Sequence, residues 1–406
     1  MSLTGLMGWS DALPRSSLVP TRRSPLQVVA AEAAGQSPES LEGLPLDSPP
    51  LDSPWSSNLR PPAFINAVAR QAGARLDAFV RGVRGYHSHP YRRAQASPPV
   101  VWRRGAAAIL DYGGPHEGPP VLFVPSLINR AYILDLAEDR SVLRSTAAGL
   151  RTFLLDWGEP GAAERAFTVD DYVEGVLIPA LEEIKDRTGQ AARLVGYCIG
   201  GTLTVAPAVL RPDLVAALVL LAAPWDFHSE TEASRALLAT FRPMIEIMLG
   251  AHGVAPVDVL QALFASLDPT LVGRKFRSFA ALDPASDQAR RFVALEDWLN
   301  DGVALAGPVA QQVFFSWYGA NDPAEGRWKI GDTVIDPRRI VCPTLVLIPT
   351  QDRIVPPASA RRLAELIPRA DARTIDLGHI GMVSGGSAPR RVYAPLLAWL
   401  ANPPKP

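Results

Sequence analysis

A glycine-flanked cysteine is the residue of this sequence best placed for covalent chemistry. Cys198 lies in the hexapeptide GYCIGG (196–201), between a predicted strand and a predicted helix. In such a tight strand-to-helix turn the nucleophile projects above the sheet, and Gly196 and Gly200 leave room for the neighbouring strand and helix. A helix N-terminus also lowers the pKa of a nearby thiol. The pattern predicts that Cys198 is a nucleophile.

A nucleophile needs a base and a residue that orients the base. Asp352 follows the predicted strand TLVLI (344–348), and His379 follows the next predicted strand, in LGHIG. Because parallel strands end at the same edge of a sheet, we expect both side chains to lie near Cys198. Asp226, in PWDF after another predicted strand, is the alternative orienting residue.

Backbone N–H groups beside the nucleophile are expected to stabilise an oxyanion. Ile199 supplies one, since it directly follows the cysteine. The loop after the predicted strand PVLFV (120–124) supplies the other, from Ser126 or Leu127. This assignment rests on position alone.

The remaining histidines and the second cysteine are weaker candidates for chemistry. Cys342 precedes a strand, at the opposite edge of the sheet, and is interpreted as a core residue. Two cysteines exclude a disulfide framework and a multi-thiolate zinc site, so no metal is expected. The histidines that lie before the predicted sheet or between its strands are His87, His89, His116, His228 and His252.

Short apolar runs separated by helical segments predict an α/β fold with a mostly parallel sheet and helices on both faces. The predicted strands are 120–124, 151–156, 193–195, 214–222, 344–348 and 372–376. Helices are predicted over 169–187 and 202–210. A mostly helical, apolar stretch interrupts the alternation, and we interpret it as a cap inserted over the carboxyl edge of the sheet. Its aromatic residues, such as Phe276, Phe314 and Trp317, either exclude water from the site or form ordinary core.

The chain divides into four parts on this interpretation. Residues 1–60 form a disordered Pro/Ser-rich leader, because such a segment buries too little apolar surface to offset its ordering entropy. Residues 61–97 form a helical extension, whose predicted helix (62–84) has an apolar stripe that packs on the main domain or meets another subunit or a lipid-like surface. Residues 98–226 and 331–402 form the catalytic core, and residues 227–330 form the cap.

Composition limits the partners of the chain. The 406 residues carry a formal net charge of −1, which argues against a nucleic-acid-binding face. No apolar run is long enough to span a membrane, and the N-terminus lacks the pattern of a signal peptide. Free cysteines are typical of the reducing cytoplasm, which is the expected location.

Several motifs in order resemble the polyhydroxyalkanoate synthases, within the α/β-hydrolase superfamily, whose members carry nucleophile, acid and histidine in that order. The resemblance covers about residues 95–402 and is strongest for the smaller synthases that work with a second subunit. The motifs are VPSLINRAYILDL, LLDWGEP, FTVDDYV, GYCIGGTL, LEDWLNDGVALAGPVAQQVFFSWYGAND, QDRIVPP and GHIGMVSG. The chain differs from the family pattern at Arg353, where His is common, in the loop PSLIN, and in its shorter N-terminal region.

The resemblance implies a function. Cys198 would accept the acyl group, His379 would be the general base and Asp352 would orient it. The substrate would be an (R)-3-hydroxyacyl-CoA thioester, polymerised with release of CoA and without a further cofactor. The implied partners are the surface of a cytoplasmic polyester granule and either a second copy of the chain or a second synthase subunit.

Two other functions remain compatible with the residues. A hydrolase with the same three residues, either an intracellular polyester depolymerase or an acyl-CoA thioesterase, would use water in place of the hydroxyl acceptor. Cysteine in place of serine favours acyl transfer over hydrolysis. A non-catalytic protein of the granule surface would not need the three residues together.

Overall fold

The computed structural model describes residues 62–94, 97–229, 232–266 and 268–404. The leader predicted over residues 1–60 lies outside the described residues.

Eight strands form one large sheet within the described part of the chain. They are β1 (Val100–Arg104), β2 (Ala107–Gly113), β3 (Pro120–Val124), β4 (Arg151–Asp156), β5 (Ala192–Tyr197), β6 (Val215–Leu221), β7 (Thr344–Pro349) and β8 (Asp371–Ile375). Their spatial order is β1-β2-β4-β3-β5-β6-β7-β8. The pairs β1/β2 and β2/β4 are antiparallel, and every other pair is parallel. The predicted mostly parallel sheet is therefore confirmed.

The parallel strands form where the sequence carries short runs of Val, Leu and Ile. All five residues of β3 are buried, and alternate side chains face opposite sides of the sheet. Leu122 and Val124 pack in one hydrophobic cluster, whereas Val121 and Phe123 pack in another. Both faces of the sheet are thus covered, which is why these strands are apolar throughout rather than alternating.

The predicted strand positions agree with the structure to within one or two residues, but β1 and β2 are absent from the prediction. These two strands form an antiparallel hairpin around Gly105, which has a φ of 60°. Most of β1 is exposed or half-buried, so its sequence VVWRR lacks the apolar run that marks the central strands. The sheet therefore begins about 20 residues earlier than the first predicted strand.

Helices cover the sheet and form most of the segment between β6 and β7. They are α1 (Pro62–Ser88), α2 (Val142–Ala147), α3 (Val169–Tyr172), α4 (Ile178–Thr188), α5 (Ile199–Leu210), α6 (Glu232–His252), α7 (Val257–Ser266), α8 (Leu271–Phe279), α9 (Asp287–Asn300), α10 (Gly307–Gln311), α11 (Pro357–Leu366), α12 (Gly381–Ser384) and α13 (Ala394–Ala401). Three π-helical segments adjoin them, at Val173–Leu177, Gln312–Gly319 and Pro389–Tyr393. Three short ladders pair Asp135–Ala137 with Arg140–Ser141, Val254–Ala255 with Leu305–Ala306, and Lys329–Ile330 with Thr333–Val334.

The helical insertion, which we define as residues 232–319, lies between two strands that are neighbours in the sheet. Phe314 and Trp317 are buried in the same cluster as the sheet residues Leu122 and Val124. Phe276 instead packs in a separate small cluster with Tyr86 of α1. The aromatic residues of the insertion are therefore divided between two places in the fold.

The long helix α1 is covered over only its C-terminal half. Phe79, Val83 and Tyr86 belong to the small cluster with Phe276, so α1 packs on helix α8 of the insertion. In its N-terminal half and just past its midpoint, Ile65, Val68 and Leu76 are more than half exposed. The apolar stripe of the predicted helix is thus partly packed and partly open.

A core substitution in β3 tests this arrangement. Phe123 is fully buried, so we expect Phe123→Ala to lower the free energy of unfolding by about 3–5 kcal/mol through lost packing and a residual cavity. Phe241→Ala is the matched control, because Phe241 is 42% exposed, and its effect should stay within about 0.5 kcal/mol. Urea denaturation measures both, and equal effects would contradict the burial of β3.

Candidate active site

Cys198 stands at a strained turn between β5 and α5. Its φ of 56° lies in the region that non-glycine residues rarely adopt, at a cost of about 1–3 kcal/mol. Its N–H donates to the carbonyl of Leu221 in β6 at 3.0 Å, and its own carbonyl accepts from the N–H of Gly201 at 2.8 Å. These bonds hold the turn, and the thiol is half-buried at the carboxyl edge of the sheet.

Glycines surround the turn because other backbone lies within contact distance. A Cβ on Gly196 would collide with Gly201 at the start of α5. A Cβ on Gly200 would collide with the carbonyl groups of Val124 and Pro125, at the end of β3. These neighbouring backbone atoms are the reason that a side chain does not fit at either position. The turn lies directly against the loop that follows β3.

Asp352 and His379 meet in the interior. Asp352 follows β7 and His379 follows β8, and the Oδ2 of Asp352 lies 2.7 Å from the Nδ1 of His379. The other carboxylate oxygen, Oδ1, accepts the N–H groups of Ile354 and Val355, each at 2.8 Å. Both side chains are almost fully buried, so the loop that carries Asp352 fixes the orientation of the imidazole.

The pKa of His379 is governed by its burial and by the nearby side chains of Cys198 and Asp352. Burial alone lowers the pKa of His379, because the charged ring loses its hydration. The negative charge of an ionised Cys198 and the hydrogen bonds to Asp352 and Cys198 outweigh burial, and the net pKa of His379 is raised. The net effect favours the protonated form of the His379 imidazole, which is held by the carboxylate of Asp352.

Tyr197, the residue before the cysteine, packs on the same imidazole. The two ring centroids are 5.1 Å apart, and the hydroxyl of Tyr197 donates to the carbonyl of His379 at 3.3 Å. This buried side chain limits the movement of the His379 loop from the side of the sheet.

Asp226, the alternative orienting residue, forms its hydrogen bonds with residues other than His379. Asp226 accepts hydrogen bonds from the Asn321 amide at 2.8 Å and from the N–H of His228 at 3.0 Å. The second cysteine, Cys342, is half-buried just before β7, and burial raises its pKa to about 11. Neither residue joins the Cys198, His379 and Asp352 group.

Arg353 points away from that group. Its guanidinium binds the carboxylate of Asp268 at 2.7 Å, and its side chain is 73% exposed. Asp268 belongs to the helical insertion and also pairs with Arg274. Arg353 therefore links the loop of Asp352 to the insertion by an exposed ion pair.

The loop predicted to complete an oxyanion hole lies beside the turn. Ser126 and Leu127 are buried, and the Ser126 hydroxyl accepts the N–H of Ile128 at 3.1 Å. The indole Nε1 of Trp157 donates to the carbonyl of Pro125 at 3.0 Å. Ile199 is the first residue of α5, where backbone N–H groups have no partner within the helix. Because a Cβ on Gly200 would collide with the carbonyl of Pro125, the start of α5 lies against the loop that carries Ser126 and Leu127.

Several residues around the site were not assigned a role by the sequence. Tyr197, Trp157, Trp298 and Asp301 contact the site or its loops, and all four lie within the motifs GYCIGGTL, LLDWGEP and LEDWLND. The motifs therefore marked the right segments, but only the structure shows what these side chains bind. Among the described residues no cluster of three or more His, Cys, Asp or Glu side chains could hold a metal ion.

Comparison with known proteins agrees with this geometry. A family model described as the alpha/beta hydrolase fold matches residues 119–385. The poly(3-hydroxyalkanoate) polymerase subunit PhaC of Allochromatium vinosum is 32% identical over 71% of this chain and 82% of its own length. The subunit of the same name from Synechocystis sp. is 33% identical over 70% of this chain and 78% of its own length.

The chain belongs to the poly(3-hydroxyalkanoate) polymerase family. The resemblance inferred from the motifs and the α/β-hydrolase fold class are both confirmed. Membership of this family of polymerases identifies the chain as an enzyme. In the part of the chain that the structure describes, no helix has the length and apolar character needed to cross a membrane.

The close approach at Gly200 predicts an effect on stability. The added methyl group of Gly200→Ala collides with the loop after β3, so we expect a loss of about 1–3 kcal/mol in the free energy of unfolding. Gly175→Ala is the matched control, because nothing lies within 4 Å of the Cβ position there. Thermal and urea unfolding compare the two variants. Equal stabilities would show that the loop does not pack on the turn.

The raised pKa of His379 predicts a titration. Cys198→Ala removes the negative charge that raises this pKa, so the pKa of His379 should fall in the variant, whereas Cys342→Ala should leave it unchanged. NMR spectra of histidine-labelled protein across pH measure the change. The pKa of His379 in the folded protein lies above its ordinary value of 6.5. Protonated His379 therefore stabilises the fold fully below about pH 6.5, and this contribution is lost as the pH rises through the pKa of the folded state. A lower pKa in Cys342→Ala than in Cys198→Ala would contradict the pairing.

Proposed function

We propose that the protein is a polyhydroxyalkanoate synthase-type acyltransferase that polymerises (R)-3-hydroxyacyl-CoA thioesters and releases CoA. The observation that carries this proposal is the hydrogen bond between His379 and Asp352, beside the turn of Cys198, in a chain of the polymerase family. A thiol at this position favours exchange between thioesters, since the acyl group passes from one sulfur to another at little cost in energy.

In the first step, the thiolate of Cys198 attacks the carbonyl carbon of the substrate. The carbon–sulfur bond to CoA breaks, a thioester to Cys198 forms, and the imidazolium of His379 gives its proton to the departing CoA sulfur. The N–H group of Ile199 and one from Ser126 or Leu127 stabilise the oxyanion of the intermediate. No group other than the CoA thioester takes part, so the reaction requires no further cofactor.

In the second step, the 3-hydroxyl group of another hydroxyacyl thioester attacks the thioester on Cys198. Neutral His379 accepts the hydroxyl proton, an ester bond forms as the carbon–sulfur bond to Cys198 breaks, and His379 gives the proton to the departing cysteine sulfur. Asp352 holds the Nδ1 side of the ring, so the other ring nitrogen faces the reacting atoms. The chain grows by one unit for each CoA released.

Exclusion of water decides between polymerisation and hydrolysis, because water and the hydroxyl group compete for the same thioester. His379 and Asp352 are each less than 10% exposed, and Cys198 borders both hydrophobic clusters of the fold. We assign residues 227–330 as the cap that keeps this region apolar, over a core formed by residues 98–226 and 331–402.

The partners follow from the reaction and from the relatives. The growing polyester is insoluble, so the enzyme would act at the surface of a cytoplasmic polyester granule. The relatives are named as polymerase subunits, which supports assembly with a second subunit or a second copy of this chain.

Incubation with (R)-3-hydroxybutyryl-CoA tests the proposal. We expect release of free CoA together with growth of insoluble polymer, both absent in Cys198→Ala and reduced by at least about 100-fold in His379→Gln, which lacks the base. Free thiol and product size are followed in the same sample. Cys342→Ala is the control, because this cysteine lies outside the group, and it should retain activity.

Other products would overturn the proposal. Release of CoA with only free hydroxy acid would identify a thioesterase, and release of hydroxy acid from added polyester would identify a depolymerase. If CoA is not released by the chain alone, the assay is repeated with candidate second subunits, and inactivity in every mixture would reject catalysis.

A further inference from the structure

The loop that follows β3 is fastened to the helical insertion. The indole Nε1 of Trp298 donates to the carbonyl of Arg130 at 2.8 Å. Asp301 accepts from the Arg130 Nε at 3.3 Å and from the Tyr132 hydroxyl at 3.1 Å. Trp298 lies in the last turn of α9, and Asp301 caps the end of that helix. One end of α9 therefore binds both the backbone and the side chain of Arg130.

The same loop is held on its other side by the core. The indole of Trp157 donates to the Pro125 carbonyl, five residues before the carbonyl that Trp298 binds. Between these two anchors, Asn129 has a φ of 69°, a left-handed conformation that a residue with a side chain adopts at a cost. The backbone of Asn129 does not favour this left-handed conformation by itself, so the contacts of Trp157 and Trp298 are needed to hold the loop in it.

The indole of Trp298 is almost fully buried at this contact, whereas Arg130 is half-buried. Trp298 is 5% exposed, and it packs in the hydrophobic cluster that Cys198 borders. A buried N–H group that loses its acceptor has no water to replace it. The Arg130 carbonyl therefore stays where the indole of Trp298 places it.

We propose that Trp298 and Asp301 are positioning residues that set the loop carrying the proposed oxyanion donor, Ser126 or Leu127. Through them the helical insertion controls acyl transfer at Cys198 without touching the reacting atoms. This inference rests on the proposed function, because it assigns a role within that reaction. Oxyanion donors act only at hydrogen-bond distance, and a displacement of about 1 Å can lower a rate by about 100-fold.

Trp298→Phe tests the proposal, because it keeps an aromatic ring and removes only the indole N–H and part of the ring area. Two rates are measured on the same protein. The first is the single-turnover release of CoA from (R)-3-hydroxybutyryl-CoA, which needs the oxyanion donors. The second is the alkylation of Cys198 by iodoacetamide, in Cys342→Ala background, which needs the nucleophile and His379 but forms no oxyanion.

We expect the acylation rate of Trp298→Phe to fall by about tenfold or more, with KM changed by less than about threefold and the alkylation rate by less than about twofold. Trp399→Phe is the matched control, since Trp399 of α13 is also buried but its indole Nε1 has no hydrogen-bond partner among the described residues. Asp301→Asn is a second variant that preserves shape and removes the charge that binds Arg130. It should lower acylation in the same selective way and by a smaller factor.

Three results would overturn the inference. If Trp298→Phe and Asp301→Asn both acylate as fast as Trp399→Phe, the two residues do not position the loop. If alkylation falls in parallel with acylation, they act on the nucleophile or on the fold in general. If the wild-type protein, alone and with candidate second subunits, is alkylated at Cys198 but never acylated, the proposed function fails, and this inference fails with it.

Discussion

The left-handed backbone of Cys198 is the constraint on which the rest of the site depends. A residue with a side chain remains in that conformation only when its surroundings pay the cost of about 1–3 kcal/mol. The bond from its N–H to Leu221, the start of α5 and the glycines at 196 and 200 meet this requirement together. Because Gly200 leaves room for the loop after β3, that loop, with Ser126 and Leu127, lies against the turn of Cys198.

Burial makes the charged part of the site depend on complete hydrogen bonding. A carboxylate away from water is costly unless its oxygens are satisfied, and Asp352 accepts two backbone N–H groups as well as His379. The imidazole is then held by Asp352 at its edge and by Tyr197 at its face. The protonated imidazole of His379 is favoured in spite of its burial because it faces the carboxylate of Asp352.

The helical insertion does more than cover the sheet, because it also binds several other parts of the fold. Helix α9 ends at Trp298 and Asp301, and these two residues bind the loop beside the nucleophile. Helix α8 receives the C-terminal half of α1, whose aromatic residues pack on Phe276. Arg353 and Asp268 join the insertion to the loop of the catalytic acid. Among the described residues, the insertion is therefore linked to helix α1, to the loop after β3 and to the loop of Asp352.

The sequence by itself determined the parallel strands and the glycine-flanked turn of Cys198. It also singled out Asp352 and His379 as the residues expected to lie near that turn. Apolar runs such as PVLFV and a glycine-flanked cysteine are local signals, readable because the physical requirement falls on consecutive residues. The hairpin of β1 and β2 was missed, since edge strands that are half exposed lack such a run. Only the tertiary structure decided that His379 binds Asp352 whereas Asp226 binds Asn321, and that Trp298 holds Arg130. These contacts join residues 27 to 168 positions apart, and no local pattern encodes which distant acceptor a buried donor will reach.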